Sequence, residues 1–502
     1  MQKKKLTLVI VSLLVVVLSV SLAYFTAQII GKGKDVSVTS ANLQIVFTDS
    51  DGALTETDIE PGWSATKTFT IKNDTKTEYK YNIVIKDLLN TFVTNGYLQY
   101  KITSTNDGYN MTEFKDIPKS SIATDTILAY SVVIPNGVTQ SYTIEFKYAN
   151  DESVDQSEDM GKKLSGTLFI TEGTEDPNKT LYNQLLVDKS TKLTRTSFSS
   201  VLTTDNTKTL YTSTENGTTV YYFAGNATDN WVKFGKNESN QDLYWRIIRT
   251  NSDGSVKLLY HGTSTTATDA VINTSTAFNS TYNNPMYVGY MYGTSGSLVN
   301  NRTNTNNSTI KGIIDTWYAS NLEAKGYTKY LSTTAVYCND RSVTNGTYST
   351  SSSFKYAAYT RLVINKTPSY DCAATEDKFT ADTSTGNGKL KYPIALMTAD
   401  EVSFAGGLYS TNAPTWYYKN SANGSSTGST WWWLLSPFDW RGGYAYVFRV
   451  YGSSNPGYLS DYYVIDAYGV RPSISLKSCT LYSTGNGSAS DPYTIKETTS
   501  GC

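Results

Sequence analysis

Between Asp35 and Thr171 apolar and polar residues alternate with a period of two, in short runs such as "SATKTFTIKN", "YKYNIVIKDL", "YLQYKITST" and "SYTIEFKY". A period of two is that of a strand with one buried face, whereas an amphipathic helix repeats every 3.6 residues. The runs are rich in β-branched and aromatic residues and are broken by Asn-Gly and Asp-Gly pairs, which favour the tight turns of antiparallel hairpins. Six or more such runs predict an N-terminal antiparallel β-sandwich over 35–172. "EGTEDPNKT" then gathers charge, Gly and Pro, and predicts a linker over 173–180.

The pattern changes after the linker. "LYNQLLVDK" predicts a short helix, and "TVYYFAG", "NWVKFG", "LYWRIIRT" and "SVKLLYHG" predict strands, the last two joined by a hairpin at "SDGS". The polar stretch from Gly262 to Ser308 reads as long loop or partly disordered. "TIKGIIDTWYASNLEAKGYTKYL" predicts a helix with Ile310, Ile313, Ile314 and Trp317 on one face and Tyr318 and Leu322 at its edge. At 502 residues the chain exceeds one ordinary core, so a multidomain protein is expected. Its second domain is an α+β domain with long loops over 181–477, followed by a tail over 478–502.

"MQKKK" precedes an uncharged stretch from Leu6 to Gly31 that approaches the length needed to cross a bilayer. Residues 1–31 read as a signal peptide or an N-terminal transmembrane anchor, with residues 6–30 in the membrane if the segment is not cleaved. The lysines stay cytoplasmic, so the remainder is expected to be extracellular or at the cell surface. Four cysteines suit that compartment; with no CxxC and one histidine, His261, no metal site or other cofactor is expected. Sequence-local pairing is predicted, Cys338 with Cys372 and Cys479 with Cys502, the second closing the tail. A net charge of −1 gives no means of capturing nucleic acid.

Two parts of the chain resemble known families. "LAYFT", "VTSANLQIVFTD" and "PGWSATKTFTIKN" resemble the camelysin/TasA-type exported proteins of Gram-positive bacteria, which have leaders processed by a dedicated signal peptidase. That resemblance implies a surface or matrix β-sandwich with capacity for self-assembly; no HExxH is present to support protease activity. "VKFGKNESNQDLYWRIIRTNSDGSVKLLY", "IIDTWYASNL", "YPIALMTADEVSFAGG", "WWWLLSP" and "YGVRPSISL", in that order, resemble a bacterial domain-of-unknown-function family related to C-type-lectin-like and formylglycine-generating-enzyme folds. This implies a compact α+β C-type-lectin-like domain with a small twisted sheet. The reactive cysteine pair of the enzymes and the Glu-Pro-Asn and Trp-Asn-Asp motifs of calcium-dependent lectins are missing, so neither activity is inherited.

The stretch from Trp431 to Leu476 carries the functional reading. Trp431, Trp432, Trp433, Gly469, Arg471 and Pro472 read as scaffold: a tryptophan cluster with at least one buried indole, a tight turn at Gly469, and an arginine that satisfies carbonyls or a carboxylate. Between them, Ala445, Val447 and Val450 read as core. Asp439, Trp440, Arg441, Tyr446, Phe448, Arg449, Tyr451, Asn455, Tyr458, Asp461, Tyr462, Tyr463, Asp466 and Tyr468 read as a ligand-binding surface. Tyr with Ser, Gly, Asn and an occasional Arg is the vocabulary of paratopes, because Tyr gives broad amphipathic contact at little entropic cost. No catalytic motif is present, and non-enzymatic recognition of a macromolecule or glycan is expected, as in adhesion. Segment Pro437–Tyr468 lacks Lys, Glu, Gln and Met, which adenine mutagenesis of AAC or AAT codons cannot produce. A diversity-generating retroelement would leave that signature, and a reverse transcriptase gene beside a template repeat is its test. Two alternatives stand: a structural surface or biofilm-matrix fibre subunit, and a glycan hydrolase using Asp400, Glu401 and Asp439.

Overall fold

In the computed structural model, residues 59–502 are described apart from 175, 178, 268–269, 420–429 and 453, as is the backbone of three earlier strands. The leader or anchor expected at 1–31 lies outside the described residues. Among the described residues no helix is long and apolar enough to cross a membrane. The protein is β-rich and multidomain, with one compact unit ending at Pro177 and a second spanning Asn178–Cys502.

The first unit contains strands β1 (Asp35–Ser40), β2 (Leu43–Asp49), β3 (Leu54–Glu56), β4 (Ser64–Asn73), β5 (Tyr79–Asn90), β6 (Leu98–Ser104), β7 (Lys115–Asp116), β8 (Ser120–Ile134), β9 (Thr139–Tyr148) and β10 (Leu164–Glu172). They form two antiparallel sheets, β1-β2-β4-β9-β6-β7 and β3-β10-β5-β8. The alternation explains the packing. Phe69 and Ile71 of β4, Ile102 of β6 and Ile144 of β9 meet Ile83 and Ile85 of β5 and Leu168 of β10 in one core. Alternate positions face outward, where Thr68, Thr143 and Thr103 stand side by side on three adjacent strands. Between β8 and β9 the turn places Gly137 at φ +71°, a conformation that costs glycine little.

The second unit is built on two larger sheets. In one, strand Asp242–Thr250 lies between Trp231–Lys236 and Val256–Gly262, and the latter continues to Pro472–Leu476 and Ile394–Leu396. In the other, Trp432–Arg441 pairs with Tyr444–Val450, which pairs with Leu459–Tyr463. Segment 478–502 is part of this architecture rather than a tail: Tyr493–Ile495 runs parallel to Trp231–Lys236, with the Tyr493 ring buried. Disulfides join Cys338 to Cys372 and Cys479 to Cys502. Cys338 and Cys372 are 34 residues apart, so replacing both with Ser is expected to cost about 3–4 kcal/mol, read from the urea midpoint.

Local differences from the sequence reading have physical causes. The polar Gly262–Ser308 stretch holds a strand, Asn273–Ala277, and short helical turns. Its asparagines replace missing regular backbone pairing, Asn301 donating to Thr294 O at 2.8 Å and Asn304 to Glu376 O at 2.7 Å. Helix Thr309–Tyr318 buries Ile310, Ile314 and Tyr318, a stripe of four-residue steps; Ile313 and Trp317 are only half-buried. Gly469 sits inside strand Ala467–Val470 rather than in a turn. It is required there because an added Cβ would come within 2.6 Å of Thr430 Cγ2 and 2.9 Å of Trp431 O. Arg471 is buried, donating to Tyr417 O at 2.6 Å and to Tyr260 O at 3.1 and 3.2 Å. Pro472 opens a strand, where its missing N–H is tolerated.

Candidate ligand-binding site

Strands Tyr444–Val450 and Leu459–Tyr463 set Tyr446 opposite Tyr463, Val447 opposite Tyr462, Phe448 opposite Asp461 and Arg449 opposite Ser460. Opposed residues of an antiparallel pair share a face. The candidate residues are therefore divided between two faces, not gathered in one patch.

One face is mostly interior. Arg441 bridges Asp439 Oδ2 at 2.7 Å and Asp461 Oδ2 at 2.6 Å, and its guanidinium lies 3.9 Å from the centre of the Tyr446 ring. Lys355 also pairs with Asp439, and Tyr409 donates to Asp461 Oδ1 at 2.5 Å. Burial pushes the Asp439 carboxyl above its ordinary value, against the pull of Lys355 and Arg441. Asp439, Trp440, Phe448, Tyr446 and Asp461 are buried, so these five are not displayed. The reason is packing: Phe448 sits edge-on to Phe438 at 4.8 Å, and the carboxylates are held by their own cations. Tyr463 is half-buried and meets the outward-facing Tyr444, which stacks on Tyr282 at 4.6 Å.

The other face centres on Arg449. Its guanidinium carbon lies 4.3 Å from the ring centre of Trp431, 4.7 Å from Tyr451, 4.0 Å from Tyr462 and 4.4 Å from Tyr468. Arg449 is 1% exposed, which corrects its reading as a surface contact, while all four rings are only half-buried. Nη2 donates to the Tyr451 hydroxyl at 3.1 Å; among the described residues Nε and Nη1 have no hydrogen-bond partner. The other buried arginines, Arg246, Arg249, Arg341 and Arg471, donate from all three nitrogens. Tyr458 and Asn455 lie in the loop beside this cluster, with Tyr458 5.1 Å from Tyr451, and Asp466 accepts from the Tyr468 hydroxyl at 3.3 Å. Trp431 belongs here rather than to the scaffold of Trp432 and Trp433, both fully buried. Alternation separates Trp431 from Trp432 only; Trp433 shares the Trp431 face, opposite Arg449, and is buried there by Phe278 and Tyr468.

A second polar cluster was not legible in the sequence. Glu401 Oε1 accepts from Lys257 Nζ at 2.7 Å and Arg249 Nε at 3.0 Å, and Arg249 Nη2 reaches Glu215 at 2.8 Å. Burial lowers the Lys257 pKa; burial also raises that of Glu401, but Lys257 and Arg249 bring it below the ordinary range. Asp400 is held by Arg361 at 3.0 and 2.9 Å. Asp439 belongs to the separate network above, so the three carboxylates named for hydrolysis do not converge on one point. Beside Glu215 lies a cavity of about 170 Å³ lined by Asn251, Asp253, Tyr370 and Thr385. His261 is buried edge-on to Trp231, 4.3 Å between centres, and burial with Arg246 and Arg471 nearby pushes its pKa well down. Among the described residues no three His, Cys, Asp or Glu side chains group as metal ligands would.

No protein-family model matches the chain, and no curated protein does. Among solved structures, a ruminal GH26 endo-β-1,4-mannanase aligns over 32% of this chain and 28% of its own, with 13% identity and a TM-score of 0.15. So slight a likeness carries no argument about fold or activity.

Proposed function

We propose that the chain is an exported cell-surface protein whose second unit is a C-type-lectin-like domain binding a glycan or protein ligand through the rings around Arg449. The observation that carries this reading is the Arg449 cluster itself. Four half-exposed rings surround a buried cation that keeps two nitrogens without a hydrogen-bond partner among the described residues. Cation–π contacts stabilise such a group by about 1–2 kcal/mol each, but leave its hydrogen-bonding capacity unused. Rings of this kind stack on sugars or anchor protein side chains, as Tyr and Trp do at hot spots. The first unit serves as a stalk, and Leu6–Gly31 as leader or anchor.

The test is a glycan and host-protein array probed with wild type and with a Tyr451→Ala/Tyr462→Ala variant. Loss of signal in the variant, with its melting curve kept, is expected; equal binding refutes the site.

A fibre-subunit reading is favoured by one observation. Strand β8 is 15 residues long, lies at a sheet edge, and carries Asp125 as its only charge while Ile122 is 75% exposed. Concentration-dependent fibres from segment 35–172 would support it, and a monomer at all concentrations would oppose it.

A further inference from the structure

We infer that the Arg449 site takes the carboxylate of an acidic sugar, an inference that rests on the recognition role proposed above. Every other buried arginine of the second unit has its nitrogens occupied by carbonyls, amide oxygens or carboxylates. Arg449 has no carboxylate within ion-pair distance among the described residues, and its only hydrogen bond goes to the Tyr451 hydroxyl. A buried guanidinium with free N–H groups favours an anion, because a charge-assisted hydrogen bond there is unscreened by water.

The charge of the site selects the anion. One guanidinium balances one negative charge, and Asp466 beside Tyr468 disfavours a second, so a monoanionic carboxylate fits better than a phosphate dianion. The surroundings select the body that carries it. Trp431 and Tyr468 stand nearly parallel with an interplanar angle of 28°, and Tyr451 and Tyr462 complete an aromatic rim bearing hydroxyls. Flat apolar faces edged by hydrogen-bonding groups complement a sugar ring, which has apolar C–H faces and hydroxyl edges. Nε and Nη1 lie beneath the rings with no exposed surface, so the carboxylate reaches them only when a ring of the rim swings aside, and the sugar then rests on Trp431.

The experiment titrates the full-length protein with oligosaccharides ending in glucuronate, galacturonate or sialate, each beside its methyl ester, which keeps the sugar and removes the charge. At least one acid is expected to bind, with its ester at least tenfold weaker and Arg449→Gln reducing the acid to the ester's level. Added salt should weaken the acid and leave the ester unchanged. Equal affinity for acid and ester overturns the inference, and this comparison stands even if Arg449→Gln fails to fold. Binding of neutral glycans alone, lost in the Tyr451→Ala/Tyr462→Ala variant, overturns the inference and leaves the recognition role intact. Binding only of peptides with a free C-terminal carboxylate likewise overturns it. If neither these probes nor any array component binds, both readings fall.

Discussion

Glu401→Ala is expected to destabilise the second unit by about 5 kcal/mol. Its carboxylate neutralises two buried cations, Lys257 and Arg249, and removing one partner of a buried ion pair costs about 3–5 kcal/mol. Glu401 is also the third residue of a capped helix: it accepts from Thr398 N at 2.9 Å, and its own N–H donates to Thr398 Oγ1 at 3.1 Å. Alanine keeps the backbone bond to Thr398 Oγ1 and loses only the carboxylate's bond to Thr398 N, which adds about 1 kcal/mol. Urea unfolding of wild type and variant gives the difference directly. The pH dependence has a definite sign. Cations hold the folded pKa values of Glu401 and Glu215 below the ordinary range, so their contribution is present above about pH 4.3. It is lost as pH falls through the folded values. Wild type should therefore lose stability steeply on acidification, and Glu401→Gln less steeply.

Trp433→Ala is the second large effect, expected at about 3–5 kcal/mol. The indole is fully buried, donates from Nε1 to Thr276 O at 2.8 Å, and packs edge-on to Phe278 and Tyr468. Its loss opens a cavity and leaves the Thr276 carbonyl without that donor, loosening strand Asn273–Ala277 where it pairs with Ala467–Val470. Tyr444→Ala provides the contrast: at 37% exposure the ring should cost under about 1 kcal/mol. Equal losses at Trp433 and Tyr444 would contradict the burial that divides scaffold from surface.

The strands of the first unit were legible because their causes are local. Alternation fixes which side chains of β4 and β9 face inward, and turn residues such as Gly137 fix the hairpins. The sequence-local cysteine pairing was legible for the same reason. What governs the second unit is not local. Arg249, Lys257 and Glu401 meet across separations of 152 and 144 residues, and nothing in their neighbourhoods marks them as buried. Tyr493 enters the sheet beside Val232, so the C-terminal segment reads as a tail until that parallel pairing is known. Within Trp431–Leu476 the residue types pointed to a binding surface, but strand register decides which of them are displayed. Setting Phe448 opposite Asp461 buries one set, and setting Val447 opposite Tyr462 leaves Tyr462 at the rim of the Arg449 cluster. Arg449 read as exposed because a buried cation needs compensation, and its compensation comes from rings on four separate segments.

The central claim is that a ligand is held on the Arg449 face. Hydroxyl-radical footprinting of the full-length protein, with and without the strongest array ligand, tests it most directly. Protection at Trp431, Tyr451 and Tyr462, with Tyr444 and Tyr282 left reactive, is the predicted result. Protection at Tyr370 beside the 170 Å³ cavity, with the Arg449 rings unchanged, would contradict it.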